Sequence, residues 1–154
     1  MNPLDFYELA KEIRKNKSAF PEALKRTAVG RIYYAIFLLI REDMRAAITE
    51  TSEAFMYEKL SISGSIHSLL VSALKEVQPD NHFGNVLFGM GKRRRKADYE
   101  PNAGENWDNR IDDNINNAEE LIQNRTEIQR LFSENAMVIG KIVANYYSAL
   151  IQSP

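Results

Sequence analysis

From Phe6 to Leu150 the apolar residues of this chain return every three or four positions, and almost no window breaks that rhythm. A return near 3.6 puts one apolar stripe on a helix, whereas a half-buried strand needs strict alternation. No window shows sustained alternation. Gly and Pro number only 7 and 5, too few for a turn-rich β architecture. The rhythm predicts an all-α helical bundle of about five or six helices, in one domain over residues 1–154. A chain of this size can bury roughly 70% of its unfolded surface, enough for a real core.

The stripes and their punctuation place the helices. Asn2 followed by Pro3 reads as an N-cap with proline at the first helical position. Phe6, Leu9, Ala10 and Ile13 then mark one face of a first helix, from about Pro3 to Lys15. Ser18 is the candidate cap of a long second helix, from Glu22 to about Ile48, with Ala28, Ile32, Ala35, Ile36 and Leu39 in line. A short helix is expected between Glu50 and Ser63. Ser63-Gly64-Ser65 opens another, with Ile66, Leu69, Leu70, Ala73, Leu74 and Val77 on one side. Pro79-Asp80-Asn81 ends it and caps a helix that runs through Lys92 to Tyr99. Glu100 to Gly104 reads as a loop. The C-terminal third keeps one apolar phase from Ile111 to Leu150. It predicts one long helix, or two that break at Asn124-Arg125-Thr126 or at Gly140.

Composition narrows the chemistry. The chain has no Cys and only two His, which excludes thiolate sites and makes a multi-histidine metal centre an unsuitable reading. No metal or cofactor is expected. No glycine-rich phosphate loop, HExxH or GxSxG is present. The longest apolar run, Ile32 to Ile40, is nine residues against the roughly 20 of a membrane-spanning helix. The N-terminus is polar and periodic, unlike a signal peptide. A cytoplasmic protein is expected. The net charge of −1 argues against a surface uniformly coated in nucleic acid.

That charge hides a local concentration. Lys92, Arg93, Arg94, Arg95 and Lys96 form a cationic run near a predicted helix end. Consecutive residues on a helix fan around the axis, so these side chains point in several directions. Arg forks match phosphate oxygens, which makes the run a candidate phosphate or RNA contact. A solvated helix end, favoured by the helix dipole, is the commoner role of such a run. Arg94 and Asp98 are four apart, as are Arg95 and Tyr99. Such spacing suits either a surface ion pair or a device that fixes an arginine. Arg31 stands inside the otherwise apolar stretch Gly30-Arg31-Ile32-Tyr33-Tyr34-Ala35-Ile36-Phe37 and needs a partner if buried. His67 near a helix start is a candidate catalytic residue, although a capping or core-edge role is commoner. His82 reads as a loop or cap residue, and Trp107 as a packing residue. Asp112, Asp113, Glu119 and Glu120 read as the exposed face of a helix.

Three segments in order carry a resemblance. They are Arg31-Ile32-Tyr33-Tyr34-Ala35-Ile36-Phe37, then Ser65-Ile66-His67, then Arg94-Arg95-Lys96-Ala97-Asp98-Tyr99. Over roughly residues 20–100 this order resembles the HEPN superfamily. The resemblance implies a helical bundle that homodimerises and works with RNA or a nucleotide. It also implies a defence or toxin–antitoxin setting, with a nucleotidyltransferase-family protein as a possible partner. Many of its members are metal-independent ribonucleases in which an arginine holds the phosphate and a histidine moves the proton. Here the position expected for that histidine holds Tyr99, and no His follows His82. A phenol ordinarily titrates near pH 10, so Tyr99 is a poor base at neutral pH. The resemblance thus points to a binding protein that uses Arg94 and its neighbours without the usual catalytic histidine. A ribonuclease toxin using Tyr99 or His67, and a non-catalytic dimeric scaffold, are the alternatives.

Overall fold

A cap and a proline start the chain as expected. In the computed structural model, which describes residues 2–16, 20–100 and 104–152, Asn2 accepts from the Leu4 amide at 3.0 Å. Its own amide donates to Asp5 at 3.1 Å, completing a capping box with Pro3 in the first turn. The described residues form eight helices and no strand: α1 (Pro3–Lys15), α2 (Glu22–Ile48), α3 (Ala54–Ser61), α4 (Ile66–Val77), α5 (His82–Tyr99), α6 (Trp107–Gln123), α7 (Arg125–Glu134) and α8 (Ala136–Gln152). The bundle is all-α, with more helices than the rhythm alone suggests. None of the described helices is long and apolar enough to cross a membrane. Ser18 and residues 101–103 lie outside the described residues. Gly104 follows them with a φ of +65°, a left-handed turn that glycine adopts without strain.

The C-terminal third is not one helix: it breaks at Asn124, one of the two expected places, and again at a place the periodicity does not mark. It is three helices, broken at Asn124 and Asn135. At the second break the Asn135 amide bonds back to Leu131 and Phe132, and its side chain donates to the Leu131 carbonyl at 2.7 Å. The regular amide bond to Leu131 is kept, the side chain adds a second donor to the same carbonyl, and the Asn135 backbone leaves the helical region at φ −117° and ψ 26°. Gly140 breaks nothing. It sits buried in α8 and lets the Glu53 carboxylate approach, which a Cβ would meet at 3.0 Å.

The residues group into two compact units, 1–39 with 86–123 and 40–85 with 124–154. In the first, α1 packs on α6. The buried face of α1 is Tyr7, Ala10 and Ile13, while Leu9 is 56% exposed. The stripe is rotated from the expected one, so that Tyr7 turns inward and Leu9 faces out. Ile111, Ile115, Ala118 and Leu121 of α6 and Ala28, Val29, Ile32, Ala35 and Ile36 of α2 are all buried within this unit. Buried Asn114 donates to the Val29 carbonyl at 3.2 Å, so its burial is satisfied.

In the second unit α3 and α4 pack on α8, and α4 on α7. Ser72 and Tyr146 share a hydrogen bond of 2.8 Å, and the Tyr57 hydroxyl donates to the Arg41 carbonyl at 2.6 Å. Asp43, 6% exposed, accepts from Arg125 and Gln129 of α7. His82 opens α5 and is exposed, while Asn81 before it takes a φ of +59°. Asp80 accepts from the His82 amide at 3.1 Å and Gln78 from the Phe83 amide at 2.7 Å, which caps the helix.

Burial leaves a pH signature in the first unit. The Tyr33 phenol is pushed up to about 12, mainly by burial, with Arg94 and Arg95 pulling the other way. Above its ordinary value near 10 the unfolded phenol ionises while the folded one stays neutral. The stability this gives is complete below about pH 10 and is lost as pH rises through about 12. Circular dichroism across that window should show a steeper alkaline loss of structure in the wild type than in Tyr33→Phe. Equal slopes would refute it.

Candidate functional site

Helical spacing assembles a cleft on the first unit. Thr27, Arg31 and Tyr34 fall at i, i+4 and i+7 on α2, with Gly30 between them. Arg94 and Asp98 fall one turn apart on α5. These six residues line a hollow of about 240 Å³. A second hollow of about 530 Å³ is lined by Glu22, Ala23, Arg26, Thr27, Ala97 and Asp98. Thr27 and Asp98 belong to both, so the two form one groove. Gly30 keeps the floor open, because a Cβ there would lie 3.3 Å from Asp98 Oδ1.

The cationic run fans as the helix geometry requires, and only part of it meets this groove. Arg94 Nε forms an ion pair with Asp98 Oδ2 at 2.8 Å, and its guanidinium lies 5.5 Å from the centre of the Tyr99 ring. That ion pair occupies one corner of the fork and leaves the two terminal amino groups outside it. Tyr99 itself is 68% exposed. Arg93 turns the other way, into α6, where its guanidinium donates to the side-chain oxygens of Asn114 and Asn117. Burial holds its pKa below the usual arginine range. Lys96 reaches Glu105 at 2.8 Å, a hydrogen bond that raises the ammonium and lowers the carboxyl. Arg95 is exposed, and so is Lys92, whose ammonium stands 5.7 Å from the Phe88 ring centre. Arg31 is exposed rather than buried, with its guanidinium 5.2 Å from the Phe6 ring centre.

The other candidates fall elsewhere. His67 is half-buried in the first turn of α4 and belongs to the second unit. Asp113 pairs with Arg110 at 2.8 Å. Among the described residues no group of His, Cys, Asp and Glu is placed to hold a metal.

Arg26 was not singled out by sequence pattern, yet it anchors the end of α5. Its Nε donates to the Ala97 carbonyl at 2.9 Å, and Nη2 to those of Lys96 and Glu100 at 3.2 and 3.0 Å. These are carbonyls that a helix C-terminus leaves unpaired. The Arg26 guanidinium also lies 5.0 Å from the centre of the buried Trp107 ring. The Trp107 indole donates to Glu22 at 2.9 Å. A cation at this point offsets the negative end of the helix dipole beside the groove. The only local hint is the arginine one turn into α2, which no motif marks.

No family model matches the chain, and no solved structure matches it. Two uncharacterized proteins of Methanocaldococcus jannaschii are similar to it. One is 30% identical over 107 residues, 64% of this chain and 63% of the relative. The other is 32% identical over 106 residues, 62% of this chain and 59% of the relative. The chain thus spans about three-fifths of the length of the curated relatives it matches.

Proposed function

We propose that this chain is a HEPN-type RNA- or nucleotide-binding protein of a defence or toxin–antitoxin system, which holds a phosphate between Arg94 and Arg31. The supporting observation is that Arg31 and Tyr34 line one groove with Arg94 and Asp98, which are far from them in sequence. These residues belong to the first and third motifs of the resemblance. Arg94 is fixed by Asp98 but keeps two amino groups outside that pair, which suits a phosphate oxygen pair. In this reading the protein acts without the usual catalytic histidine, as a homodimer, beside a nucleotidyltransferase-family protein.

Arg94→Glu is expected to weaken binding of a fluorescent RNA at least about tenfold and to flatten the salt dependence of the residual binding. Fluorescence anisotropy across a salt series reads both. Unchanged affinity and slope would overturn the proposal.

A second reading, a metal-independent endoribonuclease, draws on one observation. Exposed Tyr99 lies against the Arg94 guanidinium, so a proton-carrying group stands next to the phosphate holder. RNA cleavage by the wild type that is lost in both Arg94→Ala and Tyr99→Phe favours this reading over binding alone.

A further inference from the structure

The groove is not uniformly cationic. Beside Arg31 and Arg94 it presents two hydrogen-bond acceptors, Thr27 and Asp98, which line both of its hollows. The Thr27 hydroxyl already donates its proton to the Ala23 carbonyl at 3.0 Å. A hydroxyl has one proton and two lone pairs, so toward the groove it is left with acceptor capacity only. Asp98 commits Oδ2 to Arg94, while Oδ1 lies toward Gly30 on the groove floor. Farther along, the polar groups of Glu22 and Arg26 are engaged with Trp107 and with the α5 carbonyls.

A free phosphate matches only the arginine end of this pattern. The acceptors call for a ligand that carries a donor close to its anionic group. A ribonucleotide linkage has that arrangement, because its 2′-hydroxyl is vicinal to the 3′-phosphate. A deoxyribose linkage has the phosphate without the donor. A 2′-hydroxyl is also the group by which a protein tells RNA from DNA.

We infer that the Thr27 hydroxyl oxygen accepts the one hydrogen bond that the ribose 2′-hydroxyl can donate, next to a phosphate held by Arg31 and Arg94, so that the groove selects ribose over deoxyribose. The inference rests on the phosphate-holding reading above and adds the sugar to it. Thr27 contributes through its lone pairs, so valine, of the same shape, removes its contribution, and serine keeps it.

The test is fluorescence anisotropy with labelled decauridine RNA, its deoxy counterpart and its 2′-O-methyl counterpart at low salt. The wild type should bind the RNA about tenfold tighter than either counterpart, the size of one well-placed hydrogen bond. Thr27→Val should bring RNA down toward the deoxy strand, and Thr27→Ser should keep the preference. Equal binding of RNA and deoxy strands, with Arg94→Glu still weakening both, overturns the sugar inference and leaves the phosphate site standing. A preference that survives Thr27→Val overturns it as well. Binding indifferent to Arg94→Glu, or no binding of any strand, removes the phosphate site and the inference with it.

Discussion

Arg125→Ala is expected to lower stability by about 3 kcal/mol, because it strips a buried carboxylate of its cation. Arg125 Nε lies 3.0 Å from Asp43 Oδ2, and Nη2 lies 2.9 Å from Oδ1. Gln129 adds a third donor at 3.0 Å. The carboxylate cannot turn to water, since its side chain is only 5% exposed, whereas that of Arg125 is 38% exposed. The two halves of the pair are therefore unequal. After Arg125→Ala a buried charge is left with Gln129 alone. After Asp43→Asn the guanidinium keeps an amide oxygen and has solvent at hand, so the loss should be smaller. Urea denaturation of both single variants and the double variant gives the coupling directly. A loss under about 1 kcal/mol for Arg125→Ala, the range of exposed pairs, would show that the clamp contributes little.

Gly84→Val should be nearly as damaging, at about 2 to 3 kcal/mol, through overpacking. Gly84 is buried in the first turn of α5, where the backbone of α4 comes close. A Cβ there would lie 3.0 Å from the Lys75 amide nitrogen, 3.1 Å from the Val71 carbonyl oxygen and 2.4 Å from Lys75 Cγ. The lysine stem can move aside, but the two backbone atoms cannot without shifting a helix. The gain in helix propensity over glycine, under about 1 kcal/mol, does not offset this. Gly64→Val is the control, since nothing lies within 4 Å of a Cβ at that position. Thermal unfolding of the two variants should separate them by several degrees, with Gly84→Val the lower. Equal midpoints would mean that α4 and α5 separate easily.

The helical rhythm made the fold class and most element boundaries legible. The Asn2 cap and the polar stretch before His82 are local signals, and local hydrogen bonds realise them. The break at Asn135 was not legible, because Phe132 and Ile139 keep the apolar phase across it and a backbone turn at one residue leaves no mark on periodicity. The groove was half legible. Arg31, Arg94 and Asp98 stood out by type, but Thr27 and Gly30 matter only because another helix lies opposite them. Arg93 reads no differently from Arg94 along the chain. What separates them is Asn114 and Asn117, which are about two dozen residues away on α6. Arg26 shows the same limit, since its partners are carbonyls, which every residue carries.

The partners of Arg93 have one more consequence. Amide oxygens stabilise a guanidinium without cancelling its charge, unlike the carboxylates that face Arg94, Lys96 and Arg110. The first unit therefore carries a half-buried cation whose hydrogen-bond partners are neutral, with Asp113 acting on it only through space, and counterions screen its field less than that of an exposed lysine. An approaching polyanion is drawn in by that field before any arginine touches it, so encounter rates should outlast salt concentrations that silence the exposed cations.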